Sequence, residues 1–107
     1  MPRHDRLDYE LLDDEDPFEL DPGNRPHLFS HETFSEDDLF DVWSSDPLFF
    51  PAMDQGPADW LMVAEVPGGE VLLVPLPKPK SADSTKARPI GIYRAGRELR
   101  RRYLEER

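Results

Sequence analysis

The sequence predicts a small α+β domain in which helices pack against an antiparallel sheet. Three observations indicate this fold class: apolar residues alternate in the middle of the chain, other segments have helical spacing, and short turn sequences separate them. A chain of 107 residues that is 37% hydrophobic has enough apolar side chains for one modest core. We therefore expect a short N-terminal strand, two helices, an antiparallel meander and a C-terminal helix, with the helices on one side of the sheet.

The N-terminal end of the chain is acidic and contains few apolar residues. We expect residues 1–16 to form a flexible tail and residues 17–107 to form the domain. Phe18–Leu20 alternates as a short edge strand does, and the sequence Asp-Pro-Gly-Asn at 21–24 is typical of a turn. A short helix is predicted over Pro26–His31, because proline is tolerated in the first turn of a helix.

The second helix has the clearest start signal in the chain. Ser35 is followed by three acidic residues, and carboxylates are favourable at the positive end of a helix dipole. Leu39, Phe40 and Trp43 follow at helical spacing and are predicted to face the core. The Asp-Pro pair at 46–47 ends this helix.

The remaining elements are predicted from alternation and from turn residues. One strand begins at Leu48, and further strands are predicted over Trp60–Val66, Val71–Leu76 and Arg88–Arg94. Val71–Leu76 is nearly all apolar, which is typical of a central strand. A terminal helix is predicted over Arg97–Glu106. The predicted core consists of Leu39, Trp43, Val63, Leu72, Val74, Ile90 and Ile92.

Charge is sorted along the chain. Residues 1–60 contain 17 acidic and 3 basic residues, a net charge of −14, whereas residues 61–107 contain 6 acidic and 10 basic residues, a net charge of +4. The overall charge of −10 argues against a general nucleic-acid binder, because such domains are normally basic. The basic end suits phosphates, an acidic partner, or the chain's own acidic segment, Asp5–Asp21.

Composition also bears on redox chemistry, location and cofactors. The chain has no cysteine, which excludes disulfides, thiolate metal sites and a cysteine nucleophile, and which fits a cytoplasmic protein. No apolar run approaches the roughly 18 residues that span a bilayer, so we expect no membrane segment. His27 and His31 are four residues apart, but no third ligand accompanies them; we therefore expect no metal and no cofactor.

Several short strings occur in a characteristic order over about residues 17–107. They are F-E-L-D-P at 18–22, S-H-E at 30–32, V-W and D-P at 42–43 and 46–47, R-P-I-G at 88–91, and Ala95, Glu98 and Tyr103 in the last helix. Together they resemble the BrnT family of bacterial type II toxins, which has a RelE-like ribonuclease fold. Ser30 and Glu32 stand in place of the family's lysine and glycine. Tyr93 falls where its strand arginine is expected, with Arg94 one place later.

The resemblance implies the toxin component of a bacterial type II toxin–antitoxin system. Its activity would be that of a metal-independent endoribonuclease on mRNA, and its partners would be RNA and a cognate antitoxin. Such cleavage needs proton transfer and preorganised cations around the phosphate. The candidate catalytic residues are His31, Arg88, Arg94 and Tyr103. The candidate RNA- or partner-binding residues are Arg97, Arg100, Arg101, Lys78 and Lys80.

Several of these residues have an alternative interpretation. His31 can be a helix-end histidine bonded to a carbonyl, the arginines of the last helix can balance its own glutamates, and Lys78 and Lys80 can belong to an ordinary exposed loop. For the whole chain, the alternative function is a non-catalytic BrnT-like scaffold that acts as a protein-interaction module. The departures at Ser30, Glu32 and Tyr93 favour this alternative.

Overall fold

The computed structural model describes residues 8–29, 33–52, 58–77 and 85–107. The elements within these ranges are a 3-10 helix (Tyr9–Leu11), α1 (Arg25–Leu28), α2 (Glu36–Ser44), β1 (Leu48–Pro51), β2 (Ala58–Glu65), β3 (Val71–Pro77), β4 (Tyr93–Arg94) and α3 (Arg97–Glu106). The strands form one antiparallel sheet in the order β1-β2-β3-β4. The predicted α+β class and antiparallel meander are confirmed. No helix in the described ranges is long and apolar enough to cross a membrane.

The hairpin between β2 and β3 is the centre of the sheet. The Val66 N–H donates to the Glu70 carbonyl at 2.9 Å and closes the turn. Gly68 and Gly69 have φ values of 107° and 94°, in the left-handed region that glycine adopts without a steric penalty. These two glycines therefore fix where β3 starts relative to β2.

Two hydrophobic clusters lie on opposite faces of the sheet. On the first face α2 packs on alternate residues of β2 and β3, and the fully buried side chains there are Leu39, Val42, Met62, Ala64, Leu72, Val74 and Leu76. On the second face α3 places Leu99 and Tyr103 against Phe50, Val63 and Val71. The predicted one-sided arrangement of helices is therefore wrong. Because β3 is apolar at nearly every position, both faces of the sheet need a cover.

The last predicted strand is shorter than expected. Of Arg88–Arg94, only Tyr93 and Arg94 form a strand. Pro89 has no N–H to donate to a ladder, and the Tyr93 ring lies so close to Gly91 that a β-carbon there would meet ring carbons at 2.6 Å. The chain therefore approaches β3 only for the two residues of β4.

The predicted N-terminal strand is reduced to one bridge. Phe18 pairs in parallel with Ala87, and the Ala87 N–H donates to the Pro17 carbonyl at 2.7 Å. Phe18 is buried, with its ring edge-on to those of Phe40 and Trp43. The bridge therefore anchors the N-terminal segment beneath α2 without lengthening the sheet.

Part of the predicted tail lies against the domain. The Tyr9 ring stacks on Phe49 with centroids 4.2 Å apart, and Leu12 is buried. The indole N–H of Trp43 donates to the Asp14 carbonyl at 3.0 Å. Residues 1–7 of the predicted tail lie outside the described residues, and the domain boundary at residue 17 stays a prediction. The contacts nevertheless extend the packed part of the chain to Tyr9.

The predicted core is confirmed at most positions. Leu39, Val63, Leu72, Val74 and Ile92 are buried, whereas Trp43 and Ile90 are half-buried. Trp43 is only partly covered because its indole N–H reaches the N-terminal segment at the surface.

Candidate functional site

Arg94 lies at the edge of the sheet, and the strand register decides where its side chain points. It pairs with Leu72 of β3, so its side chain projects from the face on which α2 packs. There the guanidinium lies over the Phe34 ring, 5.3 Å from the centroid, at a cation–π distance. The Arg94 side chain is 62% exposed, so it is open to a ligand from solvent.

Glu70 is the acidic partner of Arg94. Arg94 Nε donates to the Glu70 carboxylate at 2.5 Å. Glu70 precedes Leu72 by two residues and therefore lies diagonally across from Arg94 on the same face. Water and salt screen such an exposed ion pair, so it contributes little to stability and exchanges readily.

Two concave surfaces flank Arg94. The first, which we call the aromatic cleft, has a volume of about 430 Å³ and is lined by Thr33, Phe34, Ile92, Tyr93 and Arg94. The second, the basic cleft, has a volume of about 260 Å³ and is lined by Gly69, Glu70, Val71, Arg94, Ala95 and Arg100. Aromatic rings offer stacking surfaces to nucleobases, and guanidinium groups fork onto phosphate oxygens. The two clefts therefore place one stacking surface, the Phe34 ring, and a second guanidinium group, that of Arg100, on either side of Arg94.

Three of the predicted site residues lie outside the described part of the chain. They are His31, Lys78 and Lys80, and the family departures Ser30 and Glu32 lie outside it as well. In the sequence, His31 is two residues before Thr33, which lines the aromatic cleft.

Arg88 lies in a different environment from Arg94. Its guanidinium donates to Glu19 at 2.9 Å and to both carboxylate oxygens of Asp21 at 2.5 and 3.2 Å, and the side chain is only 16% exposed. The hydrogen bond from Arg88 lowers the pKa of Asp21 to about 2, and the bonds to Asp21 and Glu19 raise the pKa of Arg88. Carboxylates of the acidic segment therefore already accept the guanidinium hydrogen bonds of Arg88 that a phosphate would need.

The turn at 21–24 holds Asp21 in place for this contact. The Asp21 N–H donates to the Asn24 side chain at 2.9 Å, and the Gly23 N–H donates to the Asp21 carboxylate at 2.8 Å. The buried Asn24 amide in turn donates to the Glu19 and Pro89 carbonyls at 2.9 and 3.3 Å. Arg88 therefore belongs to a clamp that ties the N-terminal segment to the chain before β4.

Tyr103 lies on the second face of the sheet. It is 3% exposed, and its hydroxyl accepts a hydrogen bond from the Glu65 N–H at 3.1 Å. The Arg107 guanidinium lies 5.5 Å from the centre of the Tyr103 ring and pairs with Glu65, and the bond to Glu65 raises the pKa of Arg107. The sheet therefore separates Tyr103 from Arg94, and the two side chains face different surroundings.

The remaining binding candidates lie on α3. Arg101 pairs with Glu98 at 3.0 Å and Glu105 at 3.6 Å, so the helix balances this charge itself. Arg97 and Arg100 are exposed and form no ion pair within the described ranges. Arg100 is therefore the α3 candidate that lies beside Arg94, in the basic cleft.

Sequence reasoning missed the residues that surround Arg94. Phe34 immediately precedes the Ser35 cap of α2, and Glu70 follows the Gly-Gly turn; neither belongs to a motif. The signal that places Glu70 is the β3–β4 register, which depends on where the two-residue strand β4 begins.

Neither a metal-binding cluster nor a similar known protein assigns a function to this site. No group of three or more metal-ligating side chains is arranged around a common point in the described residues. The chain matches no protein-family model, and no curated protein or solved structure matches it.

Proposed function

We propose that this protein is the toxin component of a type II toxin–antitoxin system, an endoribonuclease with a BrnT-like fold that cleaves mRNA without a metal ion. The observation that carries the proposal is the position of Arg94 between an aromatic cleft and a basic cleft. The order of the family-like strings in the sequence supports the same assignment. A cognate antitoxin is the partner that such a protein requires.

The proposed reaction assigns one role each to Arg94, Phe34 and His31. The 2′-hydroxyl of RNA loses a proton, its oxygen attacks phosphorus, and the 5′-oxygen departs and gains a proton. In this proposal Arg94 stabilises the charge on the phosphorane, and Phe34 stacks on a flanking base. His31 serves in proton transfer, because an imidazole titrates near neutral pH.

Arg88 and Tyr103 have structural roles in this proposal. Arg88 ties the N-terminal segment to the chain before β4 through Glu19 and Asp21. Tyr103 fastens α3 to β2 through the backbone of Glu65. We therefore expect their substitution to affect folding stability more than the chemical step.

The same two residues favour a second candidate function. If RNA cleavage depended on Arg88 and Tyr103, this arrangement would be inactive, because carboxylates occupy Arg88 and the sheet separates Tyr103 from Arg94. The chain would then be a non-catalytic interaction module, and the exposed Arg97 and Arg100 would bind an acidic partner.

Cleavage of an in vitro transcribed mRNA in EDTA distinguishes the two candidates. We expect the full-length protein to cleave it and Arg94→Ala to cleave it roughly 100-fold more slowly, the usual scale for one charge-stabilising group. Arg101→Ala is the matched control: it removes the same charge, but from an arginine that α3 already balances. We expect its rate to stay close to that of the unchanged protein.

Two results would contradict the proposal. A wild-type protein that leaves the mRNA intact would favour the interaction module. Equal rates for Arg94→Ala and Arg101→Ala would place the active site elsewhere.

A further inference from the structure

The geometry points to Glu70 as an internal competitor of the RNA phosphate: in the free protein its carboxylate occupies Arg94, and unpaired RNA displaces it and gains Arg100 as a second phosphate contact. This inference rests on the proposed function, because it takes RNA to be the ligand of the Arg94 clefts.

The first step is the nature of the Glu70–Arg94 contact. Both side chains are about half exposed or more, and the bond joins Arg94 Nε to a single carboxylate oxygen. A phosphate can instead accept two bonds from the fork of a guanidinium, which is the stronger geometry. Glu70 therefore holds Arg94 in place without binding it as tightly as a phosphate would.

The second step concerns the charges that remain in the basic cleft once a phosphate has replaced Glu70 at Arg94. The basic cleft contains two cations, Arg94 and Arg100, and one carboxylate, Glu70. When a phosphate replaces the carboxylate at Arg94, Arg100 lies in the same cleft for the next phosphate group. An added β-carbon at Gly68 or Gly69 would meet no described atom within 4 Å, so no described side chain covers the turn before Glu70.

The third step is the form of RNA that fits. The aromatic cleft lies on the other side of Arg94, where the Phe34 ring presents a stacking surface. Only unpaired bases can stack on such rings, because the bases of a duplex are stacked on each other. The ligand is therefore a single-stranded segment whose base enters the aromatic cleft while its phosphates follow the basic cleft.

Binding of a fluorescein-labelled, non-cleavable 2′-O-methyl oligouridine to the full-length protein tests this inference. Glu70→Gln and Glu98→Gln are matched variants, since each removes one exposed carboxylate that pairs with an arginine. At low salt we expect Glu70→Gln to tighten the Kd several-fold, whereas Glu98→Gln changes it less than about twofold, because only Glu70 competes at the site. We expect Arg100→Ala to weaken binding and to reduce the salt slope by about 1.

Each other outcome overturns a stated part of the inference. Equal effects of Glu70→Gln and Glu98→Gln would show a general charge effect and reject the competitor role. An unchanged salt slope in Arg100→Ala would remove Arg100 from the site, and equally tight binding of duplex RNA would reject the unpaired ligand. If the protein cleaves mRNA but Glu70→Gln does not bind more tightly, this inference fails while the proposed function stands. If Glu70→Gln binds more tightly but no mRNA is cleaved, catalysis fails instead.

Discussion

At the scale of single residues, the neighbouring side chains and the solvent exposure of an arginine determine its role. Arg88 and Arg94 have the same functional group, but Arg88 is 16% exposed between two carboxylates, whereas Arg94 is 62% exposed beside one. An arginine whose fork is filled from within the chain serves as a clamp. An arginine at an exposed edge beside an aromatic ring, as Arg94 is beside Phe34, can bind a ligand.

Asp21 makes the Arg88 clamp sensitive to acid. Its pKa is about 2 in the folded protein against 3.8 for an unperturbed group, so its ionised form stabilises the fold at any pH above 3.8. This stabilisation is lost as the pH falls through about 2, because the folded protein then binds the proton as well.

Thermal melts of Asp21→Asn against pH measure this effect. Near neutral pH the variant should have a lower melting temperature than the unchanged protein. This gap between the two melting temperatures should close as the pH falls from 3.8 to about 2. The control is Asp41→Asn, which removes an exposed carboxylate on α2, away from the clamp; its gap should not follow this pattern. A gap for Asp21→Asn that stays constant down to pH 2 would show that the ionised carboxylate is not what holds the clamp.

Residue types were predictable from the sequence, whereas their partners were not. Arg94 was a candidate because it stands next to the family's arginine position. Its neighbours Phe34 and Glu70 are 60 and 24 residues away in the chain. Glu70 meets it through the β3–β4 register, and Phe34 meets it because the chain before α2 packs on the same face of the sheet. Contacts between residues that are far apart in the chain can be identified only from the tertiary structure.

At the scale of elements, the sequence predicts the helix starts and strand positions that depend on interactions between residues close together in the chain. The predicted cap of α2 is confirmed, since the Ser35 N–H donates to Asp38 at 2.8 Å and the helix begins at Glu36. β2 and β3 also lie where alternation and the Gly-Gly turn placed them. The side of the sheet that α3 covers was not predictable in this way, because it depends on which face the other helices leave open.

The N-terminal segment gives a prediction at this scale. The sequence predicts a flexible tail over residues 1–16, but Tyr9 stacks on Phe49 and Leu12 is buried. Exposing one buried leucine costs about 2 kcal/mol, which corresponds to roughly 10 °C in a domain of this size. We therefore expect a protein that begins at residue 17 to melt roughly 10 °C below one that begins at residue 8. Equal melting temperatures would mean that these contacts add no stability.

At the scale of the whole molecule, only some of the described basic residues in the C-terminal half form ion pairs with the acidic N-terminal half. Asp16 pairs with Lys86 at 2.6 Å, and Asp21 and Glu19 pair with Arg88. The area around β4 and the start of α3 keeps its positive charge, because Arg97 and Arg100 form no ion pair within the described ranges. Within a Debye length of about 8–10 Å this local charge governs binding, even though the chain carries −10 overall.

We propose that the Arg94 site acts on RNA in cells, and bacterial growth after induced expression measures this activity in vivo. We predict that the full-length protein arrests growth soon after induction and that Arg94→Ala, produced at the same soluble level, does not. Arg101→Ala, the variant matched in charge, should still arrest growth. Normal growth with abundant soluble wild-type protein, or equal arrest by Arg94→Ala, would contradict the claim.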